Sequence, residues 1–373
     1  MAYRCVFTGG GTGGHIYPAL AVLNEFKKTY PDSEFLYVGT NGLESKIVPK
    51  NSIPFKEIPV KPHSRKSIFN IFTEIKSLVS AVIKAKKLLK EFKPDFVFGT
   101  GGYVSAPVTI AAYLLKIPVF LHEQNATPGL TNKLLNFVAN KTFISYNVAL
   151  KKFYCQANVI YTGNPVRSEI INTDRKDAYS FFNFEPDKTT ILAFGGSIGA
   201  ASINNAFSEV LKRLLAQFPQ LQVIFITGER DFARYSEELK DILSLNNNLK
   251  LFSFLDKMYN AITIADIILC RAGATTIAEI TAAGKCSVLI PYPYATDNHQ
   301  FKNAEALRNN NAAFLIEDSK ISDGNTLYEL FYNLINDKSK IKSTACNAKK
   351  MGIPDAASRI VNEISSLFSG GRN

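Results

Sequence analysis

Cysteine pairs, metal-ligand spacings, long apolar runs and acidic charge are all scarce in this chain. Its five cysteines, Cys5, Cys155, Cys270, Cys286 and Cys346, are scattered and no two stand at CxxC spacing. Neither a zinc ribbon nor a disulfide framework is expected, and the pattern is that of reduced core thiols in a cytosolic protein. His122-Glu123 has no second histidine at helical spacing, and no DxD pair occurs, so metal chemistry finds little support. The greasiest stretch, Tyr103 to Leu121, is broken by Pro107, Lys116 and Pro118; a membrane span needs roughly 20 apolar residues. The first apolar segment, Cys5 to Thr8, runs at once into glycine and is too short for the core of a signal peptide. Acidic residues number 32 against 43 Lys and Arg, a net charge of +11. That surplus calls for an anionic partner: nucleic acid, a phosphate ligand or an acidic membrane surface.

What is present is a long alternation of strand and helix. At 373 residues with 46% apolar side chains, the chain is globular and fits two domains. RCVFT, EFLYVG, DFVFG, PVFLH and KTFIS read as buried strands, separated by helical runs such as Ala19 to Lys28 and Phe69 to Glu91. TGNPVR, Thr162 to Arg167, breaks the pattern. The alternation then restarts with TTILAF, LQVIFIT, LKLFSF, DIILC and CSVLI. We therefore expect an α/β protein of two Rossmann-like domains with parallel sheets facing a cleft. The expected spans are residues 1–163, 164–352 and a C-terminal helix over 353–373. In that helix Ala356, Ile360, Val361, Ile364, Leu367 and Phe368 keep helical spacing, and it is expected to pack back on the first domain.

Both halves open on a strand followed by a glycine-rich turn. Gly9, Gly11 and Gly14 match GxGxxG, where glycine admits positive φ and close ligand approach and the free N–H groups of a helix start attract phosphate. A dinucleotide site would add a carboxylate at the end of the second strand. That strand ends Val38-Gly39-Thr40 instead. Further loops at Gly101-Gly102 and Gly195-Gly196-Ser197 point to more than one phosphate group. Gly10, Gly11, Gly101, Gly102 and Tyr103 are the candidate acceptor and phosphate loops. His15, in the first turn of its helix, is either a neutral imidazole that takes a proton from a hydroxyl or a hydrogen-bonded loop anchor. Arginines and helix dipoles are expected to offset phosphate charge without a metal, and Arg167 is either suited to that work or a solvated residue.

Seven motifs, GGTGGH (Gly10 to His15), GTGGYVS (Gly99 to Ser105), HEQN (His122 to Asn125), TGNPVR, GGSIGA (Gly195 to Ala200), RAGATTIAEI (Arg271 to Ile280) and DNHQ (Asp297 to Gln300), together resemble the MurG family. These are the UDP-N-acetylglucosamine–N-acetylmuramyl-(pentapeptide) pyrophosphoryl-undecaprenol N-acetylglucosamine transferases of bacterial cell-wall synthesis. The motifs span nearly the whole chain in the family's order. The resemblance implies a GT-B fold, a UDP-GlcNAc donor, lipid I as acceptor, inversion at the anomeric carbon, no cofactor and no essential metal. It implies donor contacts from Thr12, Gly13 and Gly14, a sugar contact from Asn125, and contacts near the diphosphate from Arg167 and Ser197. Leu255 or Met258 falls in the stretch resembling the uracil-side loop. Ala274, Thr275, Thr276, Ile277 and Ala278 match the turn lining the nucleotide. Glu279 matches the acid that accepts both ribose hydroxyls; the motif aside, it reads as a solvated helix residue. His299 and Gln300 fall where sugar hydroxyls are read. Two departures stand out: Ile198 replaces the family's usual Gln, and the loop Gly39 to Glu44 is one residue shorter.

From Lys61 to Lys93 nine basic residues meet only two acidic ones. The apolar residues among them exceed one core-facing stripe. Ile68, Phe69, Phe72, Ile75 and Val79 with Lys84, Lys86 and Lys87 are the candidate patch for an anionic leaflet; the alternative is a core helix with a solvated basic face. No RNA-binding signature accompanies them, and nucleic acid is not an expected partner. The expectation is a peripheral enzyme on the cytoplasmic side of the bacterial inner membrane. Its rivals are a UDP-GlcNAc 2-epimerase-like enzyme, a nicotinamide oxidoreductase and a non-catalytic sugar-nucleotide or membrane-binding protein.

Overall fold

The computed structural model describes residues 2–60, 70–196 and 199–369, with backbone alone at 70–74 and 369. The chain divides into two compact units, the first holding the residues up to Arg167 and those from Ile353 onward, the second Ser168–Gly352. Unit 1 contains a parallel sheet of seven strands: β1 (Arg4–Thr8), β2 (Glu34–Gly39), β3 (Phe55–Glu57), β4 (Phe96–Gly99), β5 (Val119–Glu123), β6 (Lys141–Ile144) and β7 (Val159–Tyr161). Their order is β3-β2-β1-β4-β5-β6-β7. Unit 2 contains six: β8 (Thr190–Phe194), β9 (Gln222–Ile226), β10 (Leu249–Phe252), β11 (Ile267–Cys270), β12 (Cys286–Leu289) and β13 (Phe314–Leu315), in the order β10-β9-β8-β11-β12-β13. Both sheets reverse strand order once, between β1 and β4 and between β8 and β11. In open parallel sheets ligands bind beyond the carboxyl ends of the strands at that switch.

The central strands are apolar on both faces because helices cover both. β4 and β8 are buried along their whole length, which is why they read as continuous apolar runs. β3, β7 and β13, three residues or fewer, lie at sheet edges. They were not among the expected strands: an edge strand needs only a few ladder bonds, and so short a run carries no readable period.

The break after the first half falls at Arg167 rather than at residue 163. Gly163 is held in unit 1 because its carbonyl accepts from His122 Nε2 at 3.1 Å and its φ of +87° presses it against Ile353. Arg167 follows because its guanidinium lies 4.6 Å from the Tyr17 ring centroid. The last helix, Ala356–Ser369, packs on the helix Gly13–Thr29. It buries Ile360, Val361 and Ile364 in the unit 1 core, each contributing roughly 1.5–3 kcal/mol. Phe368 meets Tyr3 and Phe96 edge-on and tilted, at 5.7 and 6.0 Å.

Candidate functional site

In unit 1 the loops after β1 and β4 meet at the strand-order switch, and His15 joins them. Its Nδ1 lies 2.9 Å from Thr100 O and 2.9 Å from Gln124 Oε1. Both partners can only accept, so Nδ1 carries the proton and Nε2 holds the lone pair. Among the described residues none bonds Nε2, and His15 is half-buried. Glycine is required here by close approach. A Cβ on Gly102, whose φ is +79°, would come 2.7 Å from Gly10 O and 3.4 Å from His15 Cδ2, and one on Gly9 would overlap the Thr100 hydroxyl. Tyr103 lies against Gly11, and Tyr17 against Gly13. Through its stack on Tyr17, Arg167 is brought beside the start of the helix Gly13–Thr29.

The bare backbone of the first loop is only partly free for phosphate, contrary to the expectation from its glycines. Gly11 N–H donates to Glu44 Oε2 at 3.1 Å, while Glu44 Oε1 takes Thr40 N–H at 3.0 Å and the Thr40 hydroxyl at 2.6 Å. Glu44 is fully buried; Gly10 and Gly42 make room for its carboxylate, since a Cβ on either would come within 3 Å of it, and Gly39 makes room for its Cγ. A second buried carboxylate, Glu123, accepts from Asn125 N and Nδ2 at 2.9 and 3.2 Å, and from Gly129 N and Asn132 Nδ2. Asn125 is thus set by β5. Its neighbour His122 is fully buried, and burial holds its imidazole down at about 4.

In unit 2 two helices start at the strand-order switch, Ala201–Gln217 after β8 and Ala274–Ala283 after β11. Neither start has a side-chain cap or an acidic residue in its first turn, leaving N–H donors and the positive dipole end for an anion. Arg271 ties the starts together: Nη2 donates to Ser202 Oγ at 2.8 Å, and Nη1 donates to Asp318 Oδ1 and to the Ile290 and Pro291 carbonyls. Ala274, Thr275 and Ile277 are buried, with Thr276 and Ala278 half-buried between them. Glu279 is only 6% exposed, which corrects its reading as a solvated helix residue. Leu255 is buried in the core and Met258 packs partly buried against it. Gln300 Oε1 accepts from Tyr292 N at 3.0 Å, and His299 Nδ1 lies 2.7 Å from Thr296 O.

On the helix Asn70–Phe92, Ala85 and Leu89 enter the core and Ala81 is buried beside them. Ile75, Leu78, Val79 and Ile83 are exposed, with Lys84 and Lys87 exposed beside them and Lys86 half-buried. The helix packs on Ser105–Leu114, which in turn meets Leu130–Leu135. Tyr113, Leu114, Leu130, Leu134 and Phe137 add exposed apolar side chains to that succession. Ser197, Ile198, Ile68 and Phe69 and the side chain of Phe72 lie outside the described residues. Among the described residues no helix is long and apolar enough to cross a membrane.

Comparison with known proteins decides the family. Residues 5–144 match the glycosyltransferase family 28 N-terminal domain, and residues 190–360 the glycosyltransferase family 28 C-terminal domain. The chain is 43% identical over 365 residues, 98% of its length and 99% of the relative's, to the UDP-N-acetylglucosamine–N-acetylmuramyl-(pentapeptide) pyrophosphoryl-undecaprenol N-acetylglucosamine transferase of Bacillus pumilus (strain SAFR-032). The chain belongs to the MurG family. The MurG-family enzyme of the same name from Bacillus subtilis (strain 168) is 42% identical, with the same coverage. The crystal structure of Acinetobacter baumannii MurG superposes with a TM-score of 0.73 at 28% identity, covering 98% of this chain and 99% of that one. A UDP-GlcNAc 2-epimerase from Neisseria meningitidis superposes with a TM-score of 0.70 at 18% identity, covering 98% and 100%; that likeness concerns the fold alone.

Five residues at or beside these loops were given no role from the sequence: Glu44, Gln124, His122, Tyr17 and Arg271. Each acts on backbone or on another side chain. Each has a decisive partner remote in sequence, as with Arg271 and Asp318, Glu44 and Gly11, and Gln124 and His15, so no local spacing signals that contact.

Proposed function

We propose that this protein transfers GlcNAc from UDP-GlcNAc to the 4-hydroxyl of the MurNAc unit of lipid I, with inversion and without a metal. The observation that carries the reading is His15, with Nδ1–H committed to Thr100 O and Gln124 Oε1 and Nε2 left to accept a proton at the unit 1 switch. The relatives named above supply the reaction. The acceptor oxygen attacks the anomeric carbon as its proton passes to Nε2 of His15, and the bond from that carbon to the UDP oxygen breaks. Charge building on departing UDP is met by the uncapped helix starts at Ala201 and Ala274 and by Arg167. Glu279 takes the ribose hydroxyls, and Asn125, held by Glu123, reads the sugar.

The enzyme docks from the cytoplasmic side on the anionic leaflet of the inner membrane. Exposed Ile75, Val79 and Ile83 beside Lys84 and Lys87 support this, as an apolar face rimmed by cations inserts into the headgroup boundary.

Labelled UDP-GlcNAc, a lipid I analogue and EDTA together should yield a disaccharide lipid. Epimerised sugar nucleotide with no lipid product would select the epimerase reading instead. Changing Lys84, Lys86 and Lys87 together to Glu should weaken binding to anionic vesicles by at least about 3 kcal/mol, about 100-fold or more, since each lost basic residue is worth roughly 1 kcal/mol and each new carboxylate adds repulsion. Turnover of a water-soluble acceptor should survive, and unchanged vesicle binding would remove that face from the docking surface.

A further inference from the structure

His15 is the outer end of a chain of hydrogen bonds that runs through Gln124 and His122 to the backbone of Gly163. Gln124 Nε2 lies 3.0 Å from His122 Nδ1, 3.0 Å from Thr100 O and 3.1 Å from His122 O. Two of those neighbours are carbonyls, so the amide nitrogen of Gln124 faces them and its oxygen faces His15. His122 Nδ1 therefore accepts, and His122 Nε2–H donates to Gly163 O at 3.1 Å, with Ser145 Oγ at 3.4 Å alongside. The fixed end sets every direction. A backbone carbonyl can only accept, which makes His122 the Nε2–H tautomer, aligns Gln124, and delivers an acceptor oxygen to His15 Nδ1–H. Gln124 and His122 are 2% and 0% exposed, so no water competes for these bonds.

We propose that Gln124 and His122 are positioning residues that fix the tautomer and ring orientation of His15, so that Nε2 faces the acceptor hydroxyl. The bonds all run in one sense, each polarising the next, and when Nε2 takes a proton the enhanced Gln124 oxygen stabilises the imidazolium through Nδ1–H. Thr100 O alone selects the Nδ1–H form. The second, side-chain acceptor prevents the ring from pivoting about that single bond. The facing titratable groups are His15 and His122 themselves. Glu123, between His122 and Gln124 in sequence, is committed to Asn125, Gly129 and Asn132, and Glu44 to Gly11 and Thr40.

The inference rests on His15 being the base, but its first test does not. The chain has four histidines, and 15N-histidine labelling of the whole protein resolves their tautomers by long-range proton–nitrogen correlation, with His15→Ala and His122→Asn supplying the assignments. The wild type should show His15 as Nδ1–H and His122 as Nε2–H near pH 7.5; the opposite tautomer at either residue would overturn the proposal. For turnover, Gln124→Met removes the acceptor oxygen at similar volume and should lower kcat about 10- to 100-fold, the scale of a small misplacement, with the donor KM within about twofold. Gln124→Glu keeps an acceptor oxygen for His15 and adds charge. It should recover part of kcat and move the acid limb of its pH profile upward. Circular dichroism and urea midpoints establish that each variant is folded. Folded Gln124→Met with wild-type kcat, or the same pH profile in both variants, would sink the positioning role. A wild-type kcat in His15→Ala would instead remove the base assignment while leaving the tautomer result standing.

Discussion

Gly9 to Gly14 in unit 1 and Gly195, Gly196 and Gly199 in unit 2 occupy equivalent places, each after the first strand of a parallel sheet and before a helix. Their surroundings differ. The unit 1 turn is filled from beneath by Glu44, whose carboxylate occupies the Gly11 N–H and abuts Gly10, and from the side by Thr100, Gly102 and His15. In unit 2 Gly195 and Gly199 are pressed against Ala200 and Thr227, but a Cβ on Gly196 would meet nothing within 4 Å among the described residues. One glycine pattern thus serves two purposes. The first turn spends its glycines on enclosing a carboxylate and seating a histidine, and the second keeps Gly196 clear of the described residues before a helix start with no side-chain cap.

The strongest way to break this contrast is to remove the residue the first turn seats. His15→Ala should lower kcat by about two to four orders of magnitude if Nε2 is the base, with the donor KM little changed under the proposal that the ribose and diphosphate are held by Glu279 and the unit 2 helix starts. Steady-state kinetics at saturating acceptor check it. A rise in acceptor KM alone would make the unit 1 turn an anchor.

The buried end of the same network should be visible in stability. Burial holds the His122 imidazole down at about 4 in the folded chain, against an ordinary histidine value of about 6.5. Above pH 6.5 it is neutral in both states and its contribution is complete. Between pH 6.5 and 4 the unfolded chain binds a proton that the folded one refuses, so stability falls as pH falls, by about 3 kcal/mol over the window. Urea denaturation at pH 7 and pH 4.5 measures the slope, and His122→Asn should flatten it. An unaltered slope in that variant would mean that other groups carry the acid sensitivity.

For unit 2, Glu279→Ala should raise the donor KM about 10- to 100-fold with kcat within a few fold, since a charge-assisted hydrogen bond is worth about 1.5–3 kcal/mol. Unchanged donor kinetics would take the buried carboxylate out of the ribose site.

The sequence was most readable where strands are long and central. RCVFT and EFLYVG are β1 and β2 to the residue, because strands covered on both faces must be apolar throughout. The edge strands β3, β7 and β13 escaped notice because two or three residues have no periodicity. Local motifs singled out His15, Asn125 and Glu279 as candidates, but gave no account of what holds them. The reason is geometric. Glu44 reaches Gly11 across 33 positions, and Gln124 reaches His15 across 109; only the sheet, by pairing β1 with β2 and β4, and β4 with β5, brings such partners together. Burial of Glu279 is likewise a property of the packed helix, set by what covers it and not by the spacing of the motif.

The finest test separates crowding from backbone strain, the two reasons a turn keeps its glycines. Gly196 has φ of +99° and no described residue within 4 Å of its Cβ position, so Gly196→Ala should cost only the strain of a left-handed L-residue, about 1–2 kcal/mol. Asn tolerates that region better than Ala, and Gly196→Asn should therefore regain part of the loss despite its larger side chain. Gly10 is different. A Cβ there would come 2.5 Å from the Glu44 carboxyl group, which cannot withdraw because Gly11 and both donors of Thr40 hold it. Gly10→Ala should cost about 1–3 kcal/mol through overpacking, and Gly10→Asn should be worse than Ala because the added atoms enlarge the collision. Urea midpoints of the four variants give the order directly. Opposite rankings of Ala and Asn at the two positions follow from the surroundings described; the same ranking at both would mean that the turns keep their glycines for one shared reason, and the contrast between the two units would fall.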